Sequence, residues 1–509
     1  MREIGIVVGE SKPHEIMFEA KRPVSAGEYV IVNGANDKIL GLVERSTILS
    51  DALGKNIRNY TEALESKQIA DVNTRDKSYR AWVRILGYLD ELKNGKAIIP
   101  DVPPLPGTDI LEATPDDLDV IFSPDSEEWI RVGTLLRNTK VEASVNLDKV
   151  VSRHLAVLAM TGMGKSNLVS LVAKEMARIE GTMVIFDYHD DYSSLQISNM
   201  NVMDAKINPR LLNVDKFAEV IEIRESATNQ MHVLRKAFIE DVKSKQGDDF
   251  WETLIANAET VGVGDKSYKE AAARVIDRIE DARRRFKTIL DPSMTDPLAL
   301  IKNGRVNVLS LIELTDRQAD IAVSYYLDEL LADRKKATRA KKGVEFKTPP
   351  RFNAPVLVAI EEAHAFIPKD LDTETKYFAS KVAREGRKFG LGLVIVSQRP
   401  RSIDANILSQ MGSLAVMKIV QQDDQTQVAA ASEALSQELI DQLPSLNPGD
   451  AVLVGQWVNL PAFVHTDELK ERKIGADQYA VKEWRHMGKI KEATKESTQA
   501  MIKKGYLQD

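Results

Sequence analysis

Cysteine is absent from all 509 residues. No disulfide can form, and zinc or iron–sulfur sites built on thiolates are excluded. The absence fits a reducing compartment, or a chain that avoids heat-labile residues. Long hydrophobic runs are missing too. No stretch approaches the roughly 18 apolar residues that a membrane span requires. The first ten residues, Met-Arg-Glu-Ile-Gly-Ile-Val-Val-Gly-Glu, lack the apolar region and cleavage site of a signal peptide. A surplus of positive charge is also lacking. The formal net charge is −7, which excludes a globally basic nucleic-acid binder but not a local basic surface or a channel formed on oligomerisation. The seven histidines show no ligand spacing, so no zinc site is expected and no Ser-His-Asp arrangement can be argued. His189 and His364 are expected to be structural or to line a site. What remains is 43% hydrophobic and 28% charged, the composition of a globular protein with core enough for two to four domains.

One stretch organises the rest. Leu155 to Ala159 is an apolar run of strand length. A glycine turn follows, then Lys165-Ser166, then a helical pattern through Asn167, Leu168, Leu171 and Val172. That is the order of a phosphate-binding P-loop. Gly162 and Gly164 let backbone N–H groups close around phosphate oxygens. Lys165 is expected on the β- and γ-phosphates of ATP and the Ser166 hydroxyl on Mg²⁺. Thr161, Gly162, Met163, Gly164, Lys165, Ser166 and Asn167 form the expected nucleotide cradle, with Arg153 a weaker candidate for touching phosphate. Ala159 stands where the pattern asks for glycine. Alanine is small and closes strand into turn, so the change is tolerable.

The chain before the P-loop reads differently from the chain around it. Ile4–Val8, Glu15–Phe18, Tyr29–Val32, Ile39–Val43, Trp82–Leu86 and Ala97–Ile99 are short strand-like runs separated by turn residues, which suggests a small barrel. Residues 51–77 interrupt it with a polar, helical insertion. Pro100, Pro103, Pro104, Pro106 and Gly107 read as a linker, with a domain boundary near 110. From about 129, strands and helices alternate. Trp129–Leu136, Thr182–Asp187, Val306–Leu311, Val356–Ile360, Leu393–Ser397 and Leu414–Ile419 join the P-loop strand. Apolar runs of this kind imply burial on both faces, hence an α/β fold with a mostly parallel sheet covered by helices. Between 209 and 295 strand signals vanish. Val275, Ile279, Ala282, Phe286 and Ile289 recur at helical spacing, with Arg283, Arg284, Arg285 and Lys287 opposite. This reads as a helical-bundle insertion with a solvated basic face. The expected organisation is a barrel over 1–110, the first part of an ATPase core with its linker over 111–208, the insertion over 209–295, the rest of the core over 296–466, and a helical C-terminal extension over 467–509. Tyr479 and Trp484 suggest that part of the extension packs. The most basic segment, 333–347, reads as a loop serving either solubility or phosphate contact.

Three further groups carry chemistry. Val356 to Ile360 ends in Glu361-Glu362, placing carboxylates at the edge of the sheet where the P-loop opens. One is needed in the Mg²⁺ shell and one to polarise the attacking water. Glu361 is assigned to the metal and Glu362 to the water, although the reverse order stays open. Arg384 and Arg387 lie at the end of a helix that begins near Thr373. Either could be an arginine finger completing a neighbour's site, with Arg387 preferred. An ordinary cationic helix stop at Gly390 is the alternative. Gln398, at a strand tip, has the place of a γ-phosphate sensor.

Five motifs together resemble the HerA branch of the HerA/FtsK ATPases. They are Met-Thr-Gly-Met-Gly-Lys-Ser at 160–166, Asp-Tyr-His-Asp-Asp-Tyr at 187–192, Ile-Glu-Glu-Ala-His at 360–364, Arg-Glu-Gly-Arg-Lys-Phe-Gly at 384–390 and Val-Ser-Gln-Arg-Pro at 396–400. Tyr188 and Asp190 differ from the Pro and Gly common in the second motif. The resemblance covers nearly the whole chain. It implies a RecA-like P-loop ATPase core and a homo-hexameric ring threading double-stranded DNA, driven by ATP and Mg²⁺. It also implies work with a NurA-like nuclease on DNA ends in double-strand break repair, in an archaeal cytoplasm at the nucleoid. Two other functions compete. A secretion or conjugation pump ATPase shares these motifs but is normally tied to a membrane. A non-motor scaffold would need no water-activating base, and the intact Glu361-Glu362 pair argues against it.

Overall fold

The protein was analysed as a computed structural model that describes residues 2–34, 37–54, 57–73, 76–224, 226–264 and 266–471. Its first six strands are β1 (Glu3–Val8), β2 (Glu15–Ala20), β3 (Tyr29–Asn33), β4 (Lys38–Ser50), β5 (Lys77–Tyr88) and β6 (Asp109–Glu112). They close a barrel in the order β1-β2-β5-β4-β3-β6, with β6 pairing back onto β1. Alternation drives the closure: Ile16, Phe18 and Ala20 of β2 point inward, joining Ile4, Val7, Val30, Val83 and Ile110 in one buried cluster. The expected insertion is present as a helix over Tyr60–Val72, capped by the Asn59 side chain.

Two expectations for this region are corrected. Ala97–Ile99 is not a strand. The Ile98 carbonyl accepts one hydrogen bond from the Tyr88 N–H at 3.0 Å, but Pro100 has no N–H with which to continue a ladder. The proline run is therefore a connection inside the barrel, and the closing strand β6 follows it. The barrel packs on the core. Tyr29, Ile31, Leu40 and Leu42 belong to the main hydrophobic cluster, the Tyr29 hydroxyl donates to the Pro461 carbonyl at 2.7 Å, and the Ser436 hydroxyl donates to Glu44 at 2.7 Å.

The remaining strands are β7 (Trp129–Leu135), β8 (Asn138–Asn146), β9 (Leu155–Leu158), β10 (Thr182–Asp187), β11 (Met200–Asp204), β12 (Val306–Ser310), β13 (Val356–Ile360), β14 (Leu391–Ser397), β15 (Ser413–Val416), β16 (Asp450–Gly455) and β17 (Ala462–Thr466). They form one 11-stranded sheet ordered β11-β12-β10-β13-β14-β9-β15-β16-β17-β7-β8. The strands from β11 to β15 in that order are parallel, and the last four are added antiparallel. Every residue of β9, β10, β13 and β14 is buried, as a sheet covered on both faces requires. This is a RecA-like P-loop ATPase core.

The insertion is helical through Val214–Val220, Thr228–Ala237, Glu240–Ser244, Asp248–Gly264 and Lys269–Arg285. Val275, Ile279, Ala282, Phe286 and Ile289 are its buried side. The outward arginines pair with Asp248, Asp281 and Glu222. The basic segment at 333–347 is not simply a loop. The helix Asp316–Ala340 runs through its first half, burying Asp333 and Arg334. Of the C-terminal extension only 467–471 is described; Tyr479 and Trp484 lie outside the described residues.

Candidate nucleotide site

The loop from Ala159 to Gly164 joins β9 to the helix Lys165–Arg178. Its entry is fixed by both neighbouring strands: the Ala159 N–H donates to Ser397 at 3.2 Å and the Met160 N–H to Lys418 at 3.1 Å. Ala159 is wholly buried there, so a small side chain suffices where glycine was expected. Gly164 has φ +108°, a conformation that L side chains rarely adopt. Lys165 is only 8% exposed. Its ammonium curls back to donate to the Ala159 and Met160 carbonyls at 3.3 and 3.2 Å. Burial lowers its pKa, against the opposing pull of Glu362, Glu361 and Asp191.

Acidic groups face it from the ends of two strands, β10 and β13. Asp187, fully buried at the tip of β10, accepts the N–H groups of Asp191 and Tyr192, both at 2.9 Å. Burial raises its pKa. The turn so held delivers Asp191 to the Ser166 hydroxyl, which donates to it at 2.7 Å. It also delivers Tyr192, fully buried, whose hydroxyl donates to the Glu361 carboxylate. Burial pushes Glu361 up to about 7, with the Tyr192 hydrogen bond working against it. Glu362 differs. Burial would raise it, but the His364 imidazole at 3.0 Å, together with Lys165 and His189, holds it below the usual carboxylate value. Two adjacent carboxyl groups driven apart in pKa are the usual preparation for two different roles. His189 and His364 therefore line the site, as expected. Glu362 sits at φ +45°, in the left-handed region that few non-glycine residues adopt. Just past β14, the Gln398 side-chain oxygen accepts the Thr161 hydroxyl, tying that strand tip to the P-loop.

Three expected residues do not bring their side chains to their own chain's P-loop; for Arg387 the expectation was a neighbour's site. Asn167 spends its side chain on the C-terminal segment, donating to the Asp467 carbonyl at 2.8 Å and accepting the Leu469 N–H at 3.0 Å. Arg153 ends the helix that precedes β9, so it lies at the edge of the sheet opposite the P-loop. The exposed Arg387 lies at that same edge, since its helix, Glu374–Phe389, ends where β14 begins. The seven residues of β14 separate the two edges by about 20 Å. Neither arginine meets its own chain's P-loop. Asp191 and Tyr192 were missed as site residues, although Asp-Asp-Tyr after an apolar strand was the available signal.

No group of three His, Asp or Glu side chains able to hold a metal occurs among the described residues. Magnesium at a phosphate site takes most of its oxygens from phosphate and water, so Ser166, Asp191 and Glu361 suit it.

The chain matches two described families, "Helicase HerA, central domain" over residues 130–330 and "HAS barrel domain" over residues 4–91. It is 36% identical to a protein of Saccharolobus solfataricus named DNA double-strand break repair helicase HerA, over 97% of each chain. It is 37% identical to the protein of the same name from Sulfurisphaera tokodaii, over 95% of this chain and 96% of that one. The Pyrococcus furiosus protein of that name is 33% identical, over 94% of each.

Proposed function

Because the chain belongs to the HerA helicase family, we propose that it is an ATPase that drives translocation along, or unwinding of, double-stranded DNA. In this reading it acts at DNA ends as a homo-hexamer with a NurA-like nuclease, resecting ends in double-strand break repair. The observation that carries the reading is the division of the core into two edges. Lys165, Ser166, Glu361, Glu362 and Gln398 gather at one, and Arg387 and Arg153 stand at the other. A chain built this way is completed by a copy of itself, since each arginine edge can serve only a neighbour's P-loop.

Lys165 and the loop N–H groups would bind the β- and γ-phosphates of ATP. Ser166 and Glu361 would hold Mg²⁺, which neutralises charge on the phosphates as the γ-phosphoryl group leaves. Glu362, kept ionised beside His364, takes the proton of the attacking water. Gln398, tied to Thr161, orients that water or reports the γ-phosphate. The exposed helix Tyr60–Val72 is proposed as the nuclease dock, since Tyr60, Leu64, Ile69 and Val72 present apolar side chains there. No helix among the described residues is long and apolar enough to cross a membrane, and the reading places the protein in the cytoplasm at the nucleoid.

The test is ATP hydrolysis with and without linear duplex DNA. Strong stimulation is expected. Turnover indifferent to DNA would favour a secretion or conjugation pump, and no turnover would favour a scaffold.

A further inference from the structure

A nucleoside triphosphate in this P-loop has a defined direction. Glu361, Glu362 and Gln398 stand at the tips of β13 and β14, on one side of β9. The γ-phosphate must face them, so the nucleoside must extend to the other side, over β15, β16 and β17. The turn Asn447–Asp450, which enters β16, lies against the P-loop there. The Gly449 N–H donates to the Met163 carbonyl at 3.0 Å, and a side chain at Gly164 would stand 3.7 Å from the Gly449 Cα.

His465 of β17 rises over that turn. Its Nδ1 lies 2.8 Å from Asp450, whose side chain is 3% exposed. Asp450 is itself fixed by the Asn447 N–H at 3.0 Å and the Asn447 amide at 3.1 Å. A methyl group on Gly449 would come within 3.0 Å of His465 Cε1 and 3.5 and 3.6 Å of its two nitrogens. The turn at Gly449 therefore lies against one face of the ring, near Cε1, and the exposed part of the side chain leaves the opposite face open. The result is an imidazole clamped by a buried acid yet 55% exposed, beside the P-loop on the nucleoside side. A surface histidine needs no such clamp.

We propose that His465, held by Asp450, is the residue on which the base of a bound nucleoside triphosphate stacks, and thus a residue that sets nucleotide affinity. Asp450 is a positioning residue acting through it. The inference rests on the P-loop binding ATP.

The experiment compares ATP with inorganic tripolyphosphate, which carries the phosphates without the nucleoside. In His465→Ala, KM for ATP should rise about five- to tenfold, the scale of one lost stacking contact, with kcat within a factor of about two. Inhibition by tripolyphosphate should not change. His465→Phe, which keeps a flat ring, should restore KM. An unchanged KM in His465→Ala overturns the proposal. So does a parallel weakening of tripolyphosphate, which would make His465 a phosphate contact, or a failure of His465→Phe to restore KM. If the wild-type protein binds neither ATP nor tripolyphosphate by calorimetry, the nucleotide reading itself fails.

Discussion

Glu361 and Glu362 are adjacent residues with opposite electrostatic surroundings. Glu362 has His364, Lys165 and His189 around it and stays ionised, as a base for water must. Glu362→Gln should keep ATP binding and lose turnover by on the order of 10²–10⁴-fold, the usual contribution of a general base. Near-normal hydrolysis by that variant would move the role to Glu361. Lys165→Ala should abolish turnover and weaken ATP binding together, because the charge it removes sits on the phosphates in ground and transition state alike. Glu361 gives a dependence on pH. Burial pushes its carboxyl up to about 7, so if Glu361 holds Mg²⁺ as proposed, protonation at lower pH would remove that ligand. The Mg²⁺ concentration for half-maximal ATPase activity should rise as pH falls from 8 to 6. The Tyr192 hydroxyl stabilises the ionised form, so Tyr192→Phe should shift that dependence to higher pH. Superimposable Mg²⁺ titrations of the two proteins across this range would show that Tyr192 does not support the carboxylate.

Elements are joined in ways that single residues do not reveal. His154 precedes β9 and is 2% exposed. Its Nε2 donates to the Ala383 carbonyl at 3.1 Å, and its Nδ1 accepts the Leu393 N–H at 3.0 Å. One imidazole thus ties the P-loop strand, the arginine-bearing helix and β14. Burial, opposed by the Ala383 hydrogen bond, lowers its pKa to about 4. The unfolded chain would take up a proton near 6.5, so stability is full above that pH and is lost as pH falls toward 4. The loss is on the order of 3 kcal/mol. Denaturant unfolding at pH 7 and pH 4.5 should show it, and His154→Gln, which gains no charge, should show a smaller difference between the two. Equal losses would assign the acid sensitivity to other groups. Much of the core was legible because parallel strands are apolar on both faces; β9, β10, β12, β13 and β14 stand within a residue or two of their expected limits. The edge strand β11, with its half-buried Asn201 and exposed Asp204, lacked that signal, and β8 begins with polar residues. The proline run misled because proline marks any irregular connection, not only one between domains. In the site, Lys165 and Ser166 could be read because a glycine turn joins them to an apolar strand, and Glu361, Glu362 and Gln398 because they come straight after strands. Asp-Asp-Tyr after an apolar strand signalled Tyr192, but not its role, since its partner Glu361 is 169 residues away. His465 could not be read, since its meaning lies in the turn beneath it.

At the scale of the whole molecule, the barrel and the proposed ring each carry a prediction. The barrel shares apolar side chains with the core, so deleting residues 1–110 would uncover core surface and confuse lost folding with lost docking. Leu64→Glu with Ile69→Glu on the exposed helix is the cleaner change: ATPase activity should persist while capture of the NurA-like nuclease in a pull-down falls. Retained capture would put the dock elsewhere. The proposed ring makes the stronger demand. Arg387 is exposed, without an ion pair or hydrogen bond of its own among the described residues, at the sheet edge opposite its own P-loop. Arg153 shares that edge. If a neighbour brings its P-loop there, the guanidinium meets the γ-phosphate of the next subunit, where an arginine finger contributes on the order of 10³–10⁵-fold to turnover. Ring closure would also gather Lys336, Lys341 and Lys342 from every subunit, giving an acidic chain a basic channel if they face the axis. Arg387→Ala protein keeps an intact P-loop, and Lys165→Ala protein keeps an intact finger. Neither should hydrolyse ATP alone. Mixed, they should recover part of the activity, because some interfaces then pair a good finger with a good P-loop. Substantial hydrolysis by Arg387→Ala alone would remove it from the site. Mixed rings that demonstrably form and yet stay inactive would mean either that Arg387 acts within its own chain or that turnover needs every interface intact. Repeating the mixture with Arg153→Ala in place of Arg387→Ala then tells whether one arginine or both cross the interface.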